Sequence, residues 1–417
     1  MTDRTRVSHL LRRLTFGPTA TEVDEAERTG ADATLTRVLA PIGRTVGLPG
    51  LEAAAKPPEG ASREERQKAR QQARAQLMTA TRWWLSRMVT EPGAAEKLTF
   101  FWHGHWATSS QKVRSAPLML AQQQTFRRYG GGPAGPLVRA MVRDPALILW
   151  LDGQKNTRKA PNENLARELM ELFTLGVGNY GEADVKAGAR VLTGWQVDRA
   201  AGTAKLLPRR HDTTEVTLLG STGRFDVDSY ADLLVRHPAH APFLAQRLWV
   251  RYGSDTGPAP QGVAAAAPDG TTAMLRALAT DPAFAATAGQ LVKQPIEWVI
   301  GAVRQLGVED VPLAALKALG QVPFRPPSVG GWPVGPAWLT TSSTQARLKH
   351  GQALTAKAPA AVETLADVAQ GDRVEALARL LVVDTWTNRT NTVLQDAARE
   401  PRRLLALGLA SPEYAVH

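Results

Sequence analysis

Outside one short window, apolar residues recur three and four positions apart along nearly the whole chain, the spacing that lines one face of an α-helix. Leu77, Trp84, Leu85 and Met88 make one such stripe, and Leu165, Leu169, Leu172 and Phe173 make another. Three places carry a helix-end device: Arg143-Asp144-Pro145, Arg236-His237-Pro238 and Thr280-Asp281-Pro282. Asp before Pro supplies a side-chain cap and a fixed φ at the first helical position, so each reads as helix, tight turn, next helix. Ser62 and Glu65 make a capping box, and the helix after them is charged and Gln-rich until Leu77, so its first half should project into solvent. The exception is 194–220, where GWQV, AKLL and EVTLL are separated by turn residues. The expected fold is mainly α, a compact multi-helix domain with a small antiparallel β element near 194–220.

The stretch 257–270 is rich in Gly, Pro and Ala and reads as a loop. From Gln321 to Leu339 the chain is too rich in Pro and Gly for regular structure yet holds Phe324, Trp332 and Trp338, so it should pack against the body as an ordered loop. The expected division is one helical domain over 1–350 and a C-terminal helical extension, 351–417, packed on it.

At 417 residues and 43% hydrophobic content the chain can bury a large core. It has no run of roughly 18 apolar residues, and its start, MTDRTRVSHLLRRLTFG, lacks the apolar segment of a secretory signal. The expectation is a cytoplasmic protein with no membrane span, unless a partner carries it out. With no cysteine, thiolate ligands and a cysteine nucleophile are excluded, so any metal must be held by His and carboxylate. The net charge of +11 invites a nucleic-acid reading. Against it, the basic residues come in scattered pairs such as Arg12-Arg13 and Arg127-Arg128, with no zinc-finger spacing or RNA-binding signature, which fits a basic solvated surface better.

Polar chemistry concentrates between Glu96 and Asp212. His103 and His105 share a face, and can bind one metal, only on an extended segment; on a helix they lie about 200° apart. Gly104 decides between the two, because it can end the helix and release both rings. The plainer reading is one His packed in a core and one satisfying helix-end carbonyls. The segment APNENLARELMELFTLG, 160–176, is a helix begun by Pro and Asn and closed by Gly. Its Glu163, Arg167 and Glu171 form an exposed i, i+4, i+8 ladder, while Glu168 sits on the shoulder of the apolar face. A carboxylate there is paired, metal-bound or raised in pKa. His211-Asp212, in the turn of the β element, suits ligation or proton transfer. His237 and His240 read as solvated or capping residues, and His350 and His417 carry no signal. There is no Gly-x-Ser-x-Gly elbow, Walker loop or dinucleotide fingerprint, and a glycosidase pairing of Glu168 with Asp212 or Asp152 would need a separation of about 5 to 9 Å.

The strings HLLRRLTFGPT, EKLTFFWHGHWATS, APNENLARELMELFTLGVGNY, VLTGW, RRHD and GQVPFRPPSVGGWPVGPAWL together resemble the bacterial family of domain of unknown function 1800 (DUF1800). The resemblance implies a compact helical domain whose signature includes His103, His105, Asn162, Glu163, Asn164, Arg167, Glu168, His211 and Asp212. It also implies a neighbour of the DUF1501 family, similar to a sulfatase or alkaline phosphatase, as a partner. Ser328 and Gly330 depart from the family pattern, in which an amide or acid and a Lys are more frequent.

Three functions follow as expectations. One is a metal-dependent hydrolase or oxidoreductase holding one divalent ion on His103, His105 and His211, with Glu168 and Asp212 as catalytic groups and Asn162, Asn164 and Arg167 binding substrate. Another is a metal-free, carboxylate-based enzyme acting on a glycan, with Glu168 as the acid. The third is a non-catalytic scaffold or binding partner whose signature segments hold helices together through buried polar pairs.

Overall fold

Twenty-three α-helices run through the residues that the computed structural model describes, 2–52 and 60–417. All three helix-end devices separate two helices, and the two that carry Asp also form the side-chain cap. Asp144 caps the helix Pro145–Trp150 by accepting from the Leu147 N–H, and Asp281 caps Pro282–Ala285 in the same way through Ala283. The third separates Val227–Arg236 from His240–Tyr252.

The β structure is small but divided in two. Strands β1 (Trp195–Asp198) and β2 (Thr203–Leu206) form one antiparallel hairpin, and β3 (Val216–Leu218) and β4 (Ser221–Gly223) form another. EVTLL therefore pairs with the residues that follow it and not with AKLL. The stretch 257–270 is also more ordered than a loop: Val263 and its neighbours form the short helix Gln261–Ala265, because Val263 is buried.

One apolar core extends from Val7 to Tyr414, so residues on both sides of position 350 share it. Trp298, on the helix Pro295–Leu306, donates to the Leu409 carbonyl, and Tyr414 donates to Gln305. Val416 then pairs with Val292, which brings His417 into the interior. Among the described residues no helix is long and apolar enough to cross a membrane.

The helix Arg63–Thr90 departs from this layered packing. Its second half is locked at the root, where Glu96 accepts from Trp84 Nε1 and from Arg87, and where Arg304 donates to the Val89 carbonyl. Its first half, up to about Gln76, is mostly exposed, as the charged sequence there requires.

Candidate functional site

His103 and His105 both lie on the helix Ala95–His105, which Gly104 does not end. The two rings consequently point to different surroundings. His103 packs among Trp84, Phe100, Phe324 and Trp332, whereas His105 packs among Phe101, Trp102, Phe173 and Phe243. His103 Nε2 accepts from the Phe324 N–H at 3.0 Å, which fixes the proton on Nδ1. Phe324 has φ of +64°, and its carbonyl accepts from the Ser110 N–H, so the imidazole clasps a strained corner of the 321–339 loop. Trp332 from that loop stacks on Phe100 at 5.1 Å. Gly104 serves this packing: a Cβ on Gly331 would collide with the Gly104 carbonyl oxygen, so loop and helix meet backbone to backbone.

His105 instead donates from Nε2 to the Phe173 carbonyl at 2.9 Å. That carbonyl belongs to a π-helical turn, Leu169–Thr174, which continues the short helix Asn164–Glu168. The helix ends at Thr174, which leaves its last carbonyls without a helical partner, and two imidazoles satisfy them: His105 at Phe173 and His240 at Thr174. His240 is therefore buried and capping. Burial pushes His103 and His105 each down to about 3, so both are neutral at ordinary pH.

The π turn also breaks the expected ion ladder. Arg167 pairs with Glu163 and, at 2.6 Å, with Glu182, while Glu171 swings away to accept from the Tyr180 hydroxyl. Glu168 is half-buried and forms no side-chain hydrogen bond or ion pair with a described residue. Burial and the neighbouring Glu171 push its carboxyl up.

Asn162 and Asn164, and separately His211 and Asp212, are held in hydrogen-bonded turns that Asn156 links, its carbonyl accepting from the Gly194 N–H. Asn162 Oδ1 accepts from the Asn164 N–H, and Asn164 Nδ2 donates to the Leu151 carbonyl. His211 donates to the Thr193 carbonyl at 2.9 Å, and its backbone lies 3.0 Å from where a Cβ on Gly194 would sit. Burial raises Asp212, but bonds from Arg190 and Thr214 outweigh it and hold the carboxyl at about 2. The side chain of Asn156, which sequence reading passed over, accepts from the Asn162 N–H and donates to the Ala189 carbonyl.

The expected metal set is thus not assembled. His103, His105 and His211 each face different neighbours, because a continuous helix separates the first two rings and the third bonds Thr193 through Nδ1. Among the described residues no group of three or more His, Asp or Glu side chains is placed to hold a metal ion.

A family model described as protein of unknown function (DUF1800) matches residues 9–416 of the chain. The chain belongs to the DUF1800 family. No curated protein and no solved structure matches it.

The most concentrated polar chemistry in this DUF1800 chain lies elsewhere, at Glu297. Its carboxylate is buried and pairs with Lys97 Nζ at 2.6 Å and Arg251 at 2.9 Å, with His417 Nε2 at 3.3 Å. Lys97 also donates to the Arg12 and Thr15 carbonyls, and Arg13 donates to the Tyr252, Gly253 and Thr287 carbonyls. Burial pushes Lys97 down to about 7, and burial with the surrounding cations does the same to Lys293. Sequence reading found none of this, and it assigned no role to His417. The available signals were Lys97 and Glu297 at apolar-stripe positions of their helices, where a charge must find a partner.

Proposed function

We propose that this chain is a non-catalytic binding scaffold, in which the signature residues fasten helices and loops together and the body holds the first half of Arg63–Thr90 out as a docking arm. The observation that carries the reading is the line of arginines on that arm. Arg63, Arg66, Arg70 and Arg74 are exposed and without an ion pair or side-chain hydrogen bond to any described residue. Gln67 and Gln71 are exposed beside them on the same helix. His103 and His105 support it too, since each bonds a backbone partner and is buried away from solvent.

The test is to replace all four arginines by Gln and to compare this variant with one of equal charge, changed at the exposed Arg37, Arg209, Arg389 and Arg399. The arm variant should keep its circular dichroism and a thermal midpoint within about 1 °C, because surface changes of this kind typically move stability by less than about 0.5 kcal/mol. It should nevertheless elute from a heparin column at clearly lower salt than the control variant. A collapsed midpoint would assign the arginines to the core, and equal elution would remove the docking role.

A second reading, a carboxylate-based enzyme with Glu168 as the acid, draws on the unpartnered, raised carboxyl of that residue.

A further inference from the structure

The arginines of the arm stand in register with the part of the same helix that is buried. At about 100° per residue, Arg63, Arg66, Arg70 and Arg74 fall within an arc of about 80°, and Leu77, Thr81, Trp84 and Met88 fall in that same arc. Thr81, Trp84 and Met88 are buried against the body, and Leu77 is half-buried. The face that packs on helices in the second half of Arg63–Thr90 thus continues outward with guanidinium groups in place of apolar side chains. The stripe runs for roughly 16 Å at 1.5 Å per residue. Glu64 and Glu65 lie off the stripe, and Lys68 is the one cation of residues 63–74 outside it.

We infer that the arm binds an acidic α-helical segment of another protein, whose carboxylates are spaced three and four residues apart and pair with Arg63, Arg66, Arg70 and Arg74. The inference rests on the reading of the arm as a docking element. A helix is the matching occupant because a single straight stripe at helical spacing meets a second helix along one seam, and arginine pairs with carboxylates in a two-toothed geometry. A nucleic-acid duplex presents phosphates of two strands across a groove about 12 Å wide, which calls for cations on both flanks of an inserted helix. Here the guanidinium groups line one side only, and Glu64 and Glu65 lie about 120° to 140° round the helix from them, on either side of its back. A second copy of this chain is disfavoured by the net charge of +11 that each copy would bring.

The experiment is fluorescence anisotropy with the full chain and three labelled probes. The first is a synthetic helical peptide carrying Glu in one stripe at the arginine spacing. The second is a peptide of the same composition with its Glu spread around the helix, and the third is a short DNA duplex. The striped peptide should bind about tenfold more tightly than the spread one. Its affinity should fall by at least about tenfold in the doubly changed Arg66→Glu, Arg70→Glu chain, and a peptide with a Lys stripe should bind that variant in its place. Circular dichroism of the variant confirms that the loss is local. Equal affinity for the two acidic peptides overturns the inference. Preference for DNA, lost in the variant, also overturns it but leaves the arm as a docking element. Binding of no probe at all overturns both.

Discussion

Replacing Glu297 by Gln should destabilise the protein by about 3 to 5 kcal/mol, the loss expected when one partner is removed from a buried ion pair and the other charge stays behind. Lys97 and Arg251 would both lose their carboxylate in an interior from which water is excluded. The damage would spread, because Lys97 also holds the Arg12 and Thr15 carbonyls, and the Gln294 N–H donates to Glu297 at the start of Pro295–Leu306. A double-mutant cycle in urea separates the ion pair from the packing. Lys97→Met should cost clearly less in the Glu297→Gln background than in the native chain, since the two residues act on one interaction. A cost below about 1 kcal/mol for Glu297→Gln would show that the cluster contributes little.

Acid should unfold the protein from pH 6.5 downward, well above the range in which carboxylates protonate. Burial pushes His9, His103 and His105 each down to about 3, against 6.5 for a free imidazole. Between those values the unfolded chain binds protons that the folded chain refuses, so stability is fully present above pH 6.5 and is lost as pH falls toward 3. Each such imidazole contributes about 1.4 kcal/mol per pH unit across that window, and three together reach about 4 kcal/mol per unit. Asp144, pushed up to about 6 by burial, runs the other way and offsets one imidazole between pH 6 and its ordinary value. Urea midpoints between pH 7.5 and 4.5 measure the slope, and His105→Asn should reduce it by one imidazole's share. A flat profile over that range would mean that the buried rings accept protons in place.

The helical architecture was legible because apolar spacing and Pro-capped turns are local signals, and the three Asp or His before Pro junctions fall where the chain turns. Pairing of the strands was less legible, since Ser221–Gly223, which takes EVTLL, carries no apolar run and lies beyond the expected window of 194–220. The residues of the signature block were visible as polar groups among apolar ones, but their partners were not. A helix with His at i and i+2 offers both a metal pair and two separate contacts, and the choice depends on Gly331 approaching Gly104 from more than 200 positions away. The π turn at Leu169–Thr174 has no local sequence mark, and the imidazoles that satisfy its last carbonyls, His105 and His240, come from helices distant in sequence. The basic residues, read as scattered pairs, form a stripe at Arg63–Arg74 only when the helix is continuous with its buried half.

That the histidines fasten backbone and do not ligate a metal is tested most directly by thermal unfolding of the untagged chain in EDTA and in Zn²⁺, Mn²⁺, Fe²⁺ or Cu²⁺, alongside His103→Leu and His105→Leu. His103→Leu leaves the Phe324 N–H without an acceptor, at a cost of about 1 to 3 kcal/mol. The expected result is one midpoint for the native chain in EDTA and in every ion, with both variants lower by the same amount in all of them. One ion that raises the native midpoint and has no effect on His105→Leu would contradict it.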